Sequence, residues 1–220
     1  MSALISITHR LSGIYVFFVT LPLSIILFQK ALTESSYDAI SLLIQTSSFF
    51  STFVYFSFLI FLYHILTGFR PLLSKSFKYE CHICYKFLAG CFNLYFIWNL
   101  DMSGASIWYL QRFSALLNLI YILWLGSFFV FNDITFEVWS VFSSALMFKT
   151  LTTLVIASII IHSVIGLWTV GTDYLTPRTL GFISGRLGGY ANHFRVMYQL
   201  FFITISVTLT LITLFIVWWS

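Results

Sequence analysis

Charge is what this sequence has least of. Only 8% of its 220 residues are Asp, Glu, Lys or Arg, where a soluble globular protein carries about 25%. There is too little polar surface here to cover a water-soluble particle. A soluble enzyme, a nucleic-acid binder and a disordered chain are excluded together. The net charge of +4 is no nucleic-acid footprint, because the basic residues are scattered between apolar runs. Cysteine is scarce too. Cys81, Cys84 and Cys91 are too few and too clustered for a disulfide framework. Cys81-His82-Ile83-Cys84 lacks the second ligand pair of a zinc site, and Tyr85 follows it where a haem-attachment motif has histidine. Surface thiols are the better reading. No small-residue cleavage site ends the first apolar run, which follows Arg10 directly. The mature protein is therefore expected to begin at or near Met1, without a long mitochondrial presequence.

Apolar residues are abundant: 60% of the chain, with 20% aromatic and a mean hydropathy of +0.96. Five runs have the roughly 20 residues that cross about 30 Å of hydrocarbon. They are Leu11 to Leu32, Phe49 to Phe69, Ile107 to Phe131, Met147 to Gly171 and Val196 to Trp219. The fold expected is an all-α integral membrane protein with five transmembrane helices in a bundle. A sixth run, Phe87 to Leu100, is shorter than a span and is expected at the inner face. The positive-inside rule supports that choice. Five spans put Arg10, Arg70, Lys75, Lys78, Lys86, Arg112, Arg178, Arg186 and Arg195 inside, and only Lys30 and Lys149 outside. A sixth crossing would erase the bias. Residues 30–48 and 132–139 are then outer loops, and Gly181 to Gly189, with four glycines, reads as a mobile inner loop.

Ionisable residues inside a membrane are costly and mark function by default. His64 and His162 lie in spans that both run from outside to inside, at similar depth in the inner half. Each has a glycine one turn later, Gly68 and Gly166, which leaves room for a flat ligand beside the helix. Two neutral imidazoles on facing helices suit a six-coordinate haem iron. The plainer alternative is that each histidine only bonds a neighbouring helix. A second set of polar groups gathers at the inner ends: Ser6, His9, Arg10, Gln111, Arg112, Asp173 and Tyr174. Arg10, His9 and Arg112 are suited to haem propionates. Ser6, Arg10 and Tyr174 offer hydrogen-bond donors to a quinone head group, with Asp173 orienting the tyrosine or the arginine. Ordinary interfacial anchoring is the competing reading.

Two blocks carry a family resemblance. Ser6-Ile7-Thr8-His9-Arg10-Leu11-Ser12-Gly13, followed by His64 to Arg70, resembles the C-type cytochrome b anchor subunit of succinate dehydrogenase. Gln111-Arg112-Phe113-Ser114-Ala115, then His162 to Trp168 and Thr172-Asp173-Tyr174, resembles its D-type partner. The resemblance implies a fusion, with 1–101 the C-type half and 102–220 the D-type half; Met102-Ser103-Gly104 looks like an old start retained in the join. It implies one haem b bound axially by His64 and His162. It implies ubiquinone as substrate, bound by Ser6, Arg10 and Tyr174 with Asp173 assisting, and propionate contacts from His9, Arg10 and Arg112. The implied partners are the iron–sulfur and flavoprotein subunits of succinate dehydrogenase, with membrane lipid around the bundle and no nucleic acid. The implied location is the bacterial inner membrane, or alternatively the mitochondrial inner membrane. The chain departs from the family pattern at Arg70-Pro71 and Ser74-Lys75. Alternatives are an anchor for a fumarate reductase or another quinone-linked dehydrogenase, and a small proton-coupled transporter using the two histidines.

Overall fold

The computed structural model describes residues 3–69 and 104–219. Their secondary structure is helical: α1 (Ala3–Tyr15), a π-helical turn (Val16–Thr20), α2 (Leu21–Lys30), α3 (Glu34–Thr46), α4 (Ser48–Phe69), α5 (Gly104–Phe131), α6 (Phe136–Ser144), α7 (Leu146–Tyr174), α8 (Pro177–Ile183), α9 (Gly185–Gly189) and α10 (Ala191–Trp219). Five continuous helices are long and apolar enough to cross a membrane: Leu4–Lys30, Ser48–Gly68, Gly104–Phe131, Leu146–Tyr174 and Ala191–Trp219.

The packing follows lipid rather than water. Large apolar side chains face outward, among them Phe49, Leu154 and Phe215. Among the described residues the buried polar positions are six serines: Ser12, Ser57, Ser114, Ser143, Ser158 and Ser206. Lipid is as apolar as leucine, so helices gain by close approach and by hydrogen bonds rather than by hiding hydrocarbon. Such bonds join α1 to α4 and α5 to α7. Tyr15 Oη meets Ser57 Oγ at 3.0 Å, and Thr8 Oγ1 meets Tyr63 Oη at 2.6 Å. Tyr121 Oη meets Thr152 Oγ1 at 2.7 Å, and Ser158 Oγ donates to the Ser114 carbonyl at 3.0 Å. Phe17, Leu167 and Phe202 form a buried cluster joining the π turn, α7 and α10. A cavity of about 220 Å³ in the outer half is lined by Phe17, Leu21, Phe28, Trp139 and Phe148 among others; no histidine or charged residue reaches it. It is therefore separate from the place where the ionisable residues meet.

Three sequence expectations need correction. The first span begins at Leu4 rather than Leu11, so Ser6, His9 and Arg10 lie within the helix. Hydropathy ends a span at its first polar turn, whereas this turn is lodged against α4 and α7. The outer segments are not plain loops: 30–48 contains α3, and 132–139 runs into α6, which Thr135 caps by accepting from the Val138 N–H. Tyr37 Oη donates to the Ile134 carbonyl at 2.9 Å and ties the two segments together. Finally, Gly181–Gly189 is not a plain loop: it holds the end of α8 and all of α9, separated by an extended Ser184. Thr176 caps α8 and Pro177 occupies its first turn. A Cβ on Gly188 would lie 2.9 Å from the Pro177 carbonyl oxygen, so that glycine allows α9 to pack on α8. The π turn was also not foreseen. Pro22 has no N–H and its ring crowds the carbonyl of residue 18. The wider turn just before it, where the Leu21 N–H bonds Val16 O, relieves that crowding.

The segment 87–100 falls outside the described residues. The helices flanking it, however, end and begin at one level. His64, near the end of α4, stacks on His9 of α1. Gln111, near the start of α5, bonds His162 of α7, and Arg10 of α1 pairs with Asp173 at the end of α7. The end of α4 and the start of α5 therefore lie at the same end of the bundle. A cysteine at Ser103, in a background without Cys81, Cys84 and Cys91, is expected to resist an impermeant thiol reagent added from the outer face. Labelling from that face would show that the join lies outside.

Candidate functional site

His64 and His162 meet in the bundle. Their ring centres are 6.4 Å apart and their planes are at 81°. Each imidazole is held through Nδ1 by the neighbouring inside-to-outside helix. His64 Nδ1 lies 3.2 Å from the His9 carbonyl oxygen and 3.0 Å from Ser12 Oγ. His162 Nδ1 lies 3.1 Å from the Gln111 carbonyl oxygen and 3.5 Å from Ser114 Oγ. A carbonyl only accepts, so each contact assigns the proton to Nδ1 and leaves Nε2 as a bare lone pair. That is the tautomer a metal-bound histidine adopts.

The space beside the two glycines is taken by side chains. A Cβ on Gly68 would lie 3.2 Å from His9 Cε1, and one on Gly166 would lie 3.5 Å from Gln111 Nε2. The glycines therefore admit α1 and α5 close to the histidines rather than opening a slot of their own. Gly13 does the same from α1: a Cβ there would lie 3.0 Å from His64 Cε1. His9 stacks flat on His64, with centres 4.2 Å apart and planes 3° from parallel, and its Nδ1 meets Thr67 Oγ1 at 2.8 Å.

Nearer the inner ends, Arg10 Nη1 contacts Asp173 Oδ2 at 2.7 Å, and its guanidinium carbon lies 5.7 Å from the centre of the Tyr174 ring. Of the two partners proposed for Asp173, the arginine is the one it engages. Ser6 sits on α1 one turn before Arg10, on the same face. Arg112 stacks over Trp108, one turn earlier on α5, with 3.6 Å between guanidinium carbon and ring centre. It adjoins Gln111, whose carbonyl receives His162. Arg10, Asp173 and Tyr174 are thus brought together, with His9 one residue from Arg10.

The sequence resembled a family, and comparison with known proteins bears on that directly. The family model of the succinate dehydrogenase/fumarate reductase transmembrane subunit matches residues 1–98. The succinate dehydrogenase hydrophobic membrane anchor subunit of Coxiella burnetii is 41% identical over 78 residues, 35% of this chain and 68% of that protein. The chain belongs to the succinate dehydrogenase/fumarate reductase transmembrane subunit family. No solved structure matches it significantly. Membership makes it a multi-pass membrane anchor of an oxidoreductase complex. Among the described residues no cluster of three or more His, Cys, Asp or Glu stands ready for a metal ion.

The contacts of Ser12, Ser114, Thr67 and Gln111 with the histidines were not identified from sequence. The only available signal was a serine three residues after a polar residue at the start of two spans, and a single sequence does not pair such positions across helices.

Proposed function

We propose that this chain is the anchor of a succinate:quinone oxidoreductase, holding one haem b between His64 and His162 and reducing ubiquinone beside Ser6, Arg10 and Tyr174. One observation carries the reading: two intramembrane imidazoles face each other with both Nδ1 atoms committed to carbonyls. The donor set suits the group: the two ring centres lie 6.4 Å apart with planes at 81°, and with each Nδ1 proton on a carbonyl both Nε2 atoms are left as the lone-pair donors that a haem iron takes. His9, Arg10 and Arg112, on the inner side, are the residues we assign to the propionates.

When bound, the haem would accept and return single electrons. The chain's own residues do the rest. Arg10, fixed by Asp173, presents guanidinium donors to a quinone carbonyl. Tyr174 and Ser6 add hydroxyl donors, and protons enter from the inner side where these groups lie. Electrons come from a docked iron–sulfur subunit, itself reduced by a flavoprotein subunit. We further assign 1–101 to a C-type half and 102–220 to a D-type half; the family match ends at residue 98, just short of that join. The bacterial relative favours a bacterial inner membrane. The family name covers both succinate oxidation and fumarate reduction, so the direction follows from the soluble subunits.

Purifying the chain with its partners tests the reading. A dithionite-reduced minus oxidised spectrum should show a b-type haem, and Tyr174→Phe should lower quinone reduction while haem content stays. One lost hydrogen bond to the head group, worth about 1 kcal/mol, predicts a fall of roughly fivefold. Normal turnover in both Tyr174→Phe and Ser6→Ala would remove the quinone assignment.

A further inference from the structure

The two imidazoles are held by one arrangement used twice. Ser12 Oγ donates to the carbonyl three residues back on its own helix, His9 O at 2.7 Å. Ser114 Oγ does the same to Gln111 O at 2.9 Å. Those two carbonyls are the ones that also meet the two Nδ1 atoms. Each serine has thereby spent its proton and turns its oxygen lone pairs toward the imidazole N–H. Positions 9 and 111, then 12 and 114, are paired at one interval; 64 and 162, then 68 and 166, are paired at another. Even the glycine contacts correspond, Gly68 against His9 and Gly166 against Gln111.

We infer that Ser12 and Ser114 are positioning residues, each fixing the tautomer and ring angle of the imidazole opposite it, within a histidine-holding module that the chain contains twice. A serine inside a helix commonly bonds its own backbone and does nothing more. Ser206 is of that kind: its hydroxyl bonds Phe202 O at 2.8 Å. Ser12 and Ser114, 7% and 2% exposed, add a second contact to a side chain on another helix. The two copies are unequal. At His64 the hydroxyl is the nearer acceptor, 3.0 Å against 3.2 Å for the carbonyl. At His162 the order is reversed, 3.5 Å against 3.1 Å. Ser12 therefore bears more on its imidazole than Ser114 does.

The inference rests on the haem reading for its optical and redox readout, and on geometry alone for the tautomer. The test uses the purified complex with Ser12→Ala, Ser114→Ala and Ser12→Thr. Losing an outer-shell partner of a metal-bound histidine weakens metal binding 10–100-fold. Because the carbonyl remains, Ser12→Ala should sit at the low end, with haem retention down roughly tenfold. Its midpoint potential should rise, since an imidazole with a weaker acceptor on Nδ1 donates less charge to iron. Ser114→Ala should change both less, and Ser12→Thr, which keeps the hydroxyl, should restore both. A potential and low-spin resonance unchanged in Ser12→Ala, or a shift that threonine fails to reverse, overturns the inference while leaving the haem reading intact. Absence of low-spin haem from the wild-type complex sinks that reading instead. Histidine ¹⁵N spectra then decide: a single Nδ1–H tautomer at His64 that turns mixed in Ser12→Ala supports the positioning role, and an unchanged spectrum overturns it.

Discussion

Either His64→Ala or His162→Ala is expected to abolish the low-spin b-type spectrum of the complex, while His9→Ala keeps it. The three histidines are neighbours, and geometry separates them. His64 and His162 come from different helices to 6.4 Å between ring centres, each with its Nδ1 on a carbonyl. His9 lies flat against His64 at 4.2 Å and its Nδ1 is engaged by Thr67 Oγ1 at 2.8 Å instead. If this pair holds the haem as proposed, removing either imidazole would leave the iron one protein ligand short, and the low-spin signature would go entirely rather than in part. Misfolding is controlled by adding free imidazole to His162→Gly: recovery of the low-spin bands means the bundle was intact and only the ligand was missing. A low-spin spectrum that persists unchanged in His162→Ala would take the iron away from this pair.

Much of this was legible in the sequence, for physical reasons that also set its limits. A span is a run of lipid-facing side chains, so composition and length reveal it; five appear in both readings. Depth is legible only in part: His64 lies four residues and His162 twelve residues from the inner ends of their helical spans, so residue count alone places both in the inner half without bringing them to one level. What sequence does not carry is rotation and register between helices. Nothing local says that Ser12 faces His64, or that the Gly68 face is filled by His9; those facts need the crossing of α1 and α4. The start of the first span was missed for a related reason. Ser6, His9 and Arg10 look like an aqueous flank, yet the partners of His9 (Thr67 and His64) and of Arg10 (Asp173) come from other helices. The Gly181–Gly189 stretch misled in the opposite direction, since four glycines read as freedom where the Gly188 contact shows close packing.

The Arg10–Asp173 pair is where stability and function should part most clearly. The side chains are 33% and 47% exposed at the inner ends of their spans, and for an ion pair at such a membrane–water boundary the stability cost of breaking it is about 1 kcal/mol. If Arg10 donates to a quinone oxygen, however, a charge-assisted hydrogen bond of about 1.5–3 kcal/mol is lost with it, and turnover falls roughly 10–150-fold. Arg10→Gln should therefore leave the complex assembled and its melting point nearly unchanged while quinone reduction collapses. Arg10→Lys should rescue little, because a point charge on a flexible stem does not reproduce the planar fork that Asp173 holds in place. Asp173→Asn should fall between, since the guanidinium stays but loses its fixed orientation. The double variant should then be no slower than Arg10→Gln alone, because Asp173 acts through the arginine. Multiplying losses in the double variant would mean that Asp173 touches the reaction by a route of its own, and the tyrosine beside it would be the first place to look.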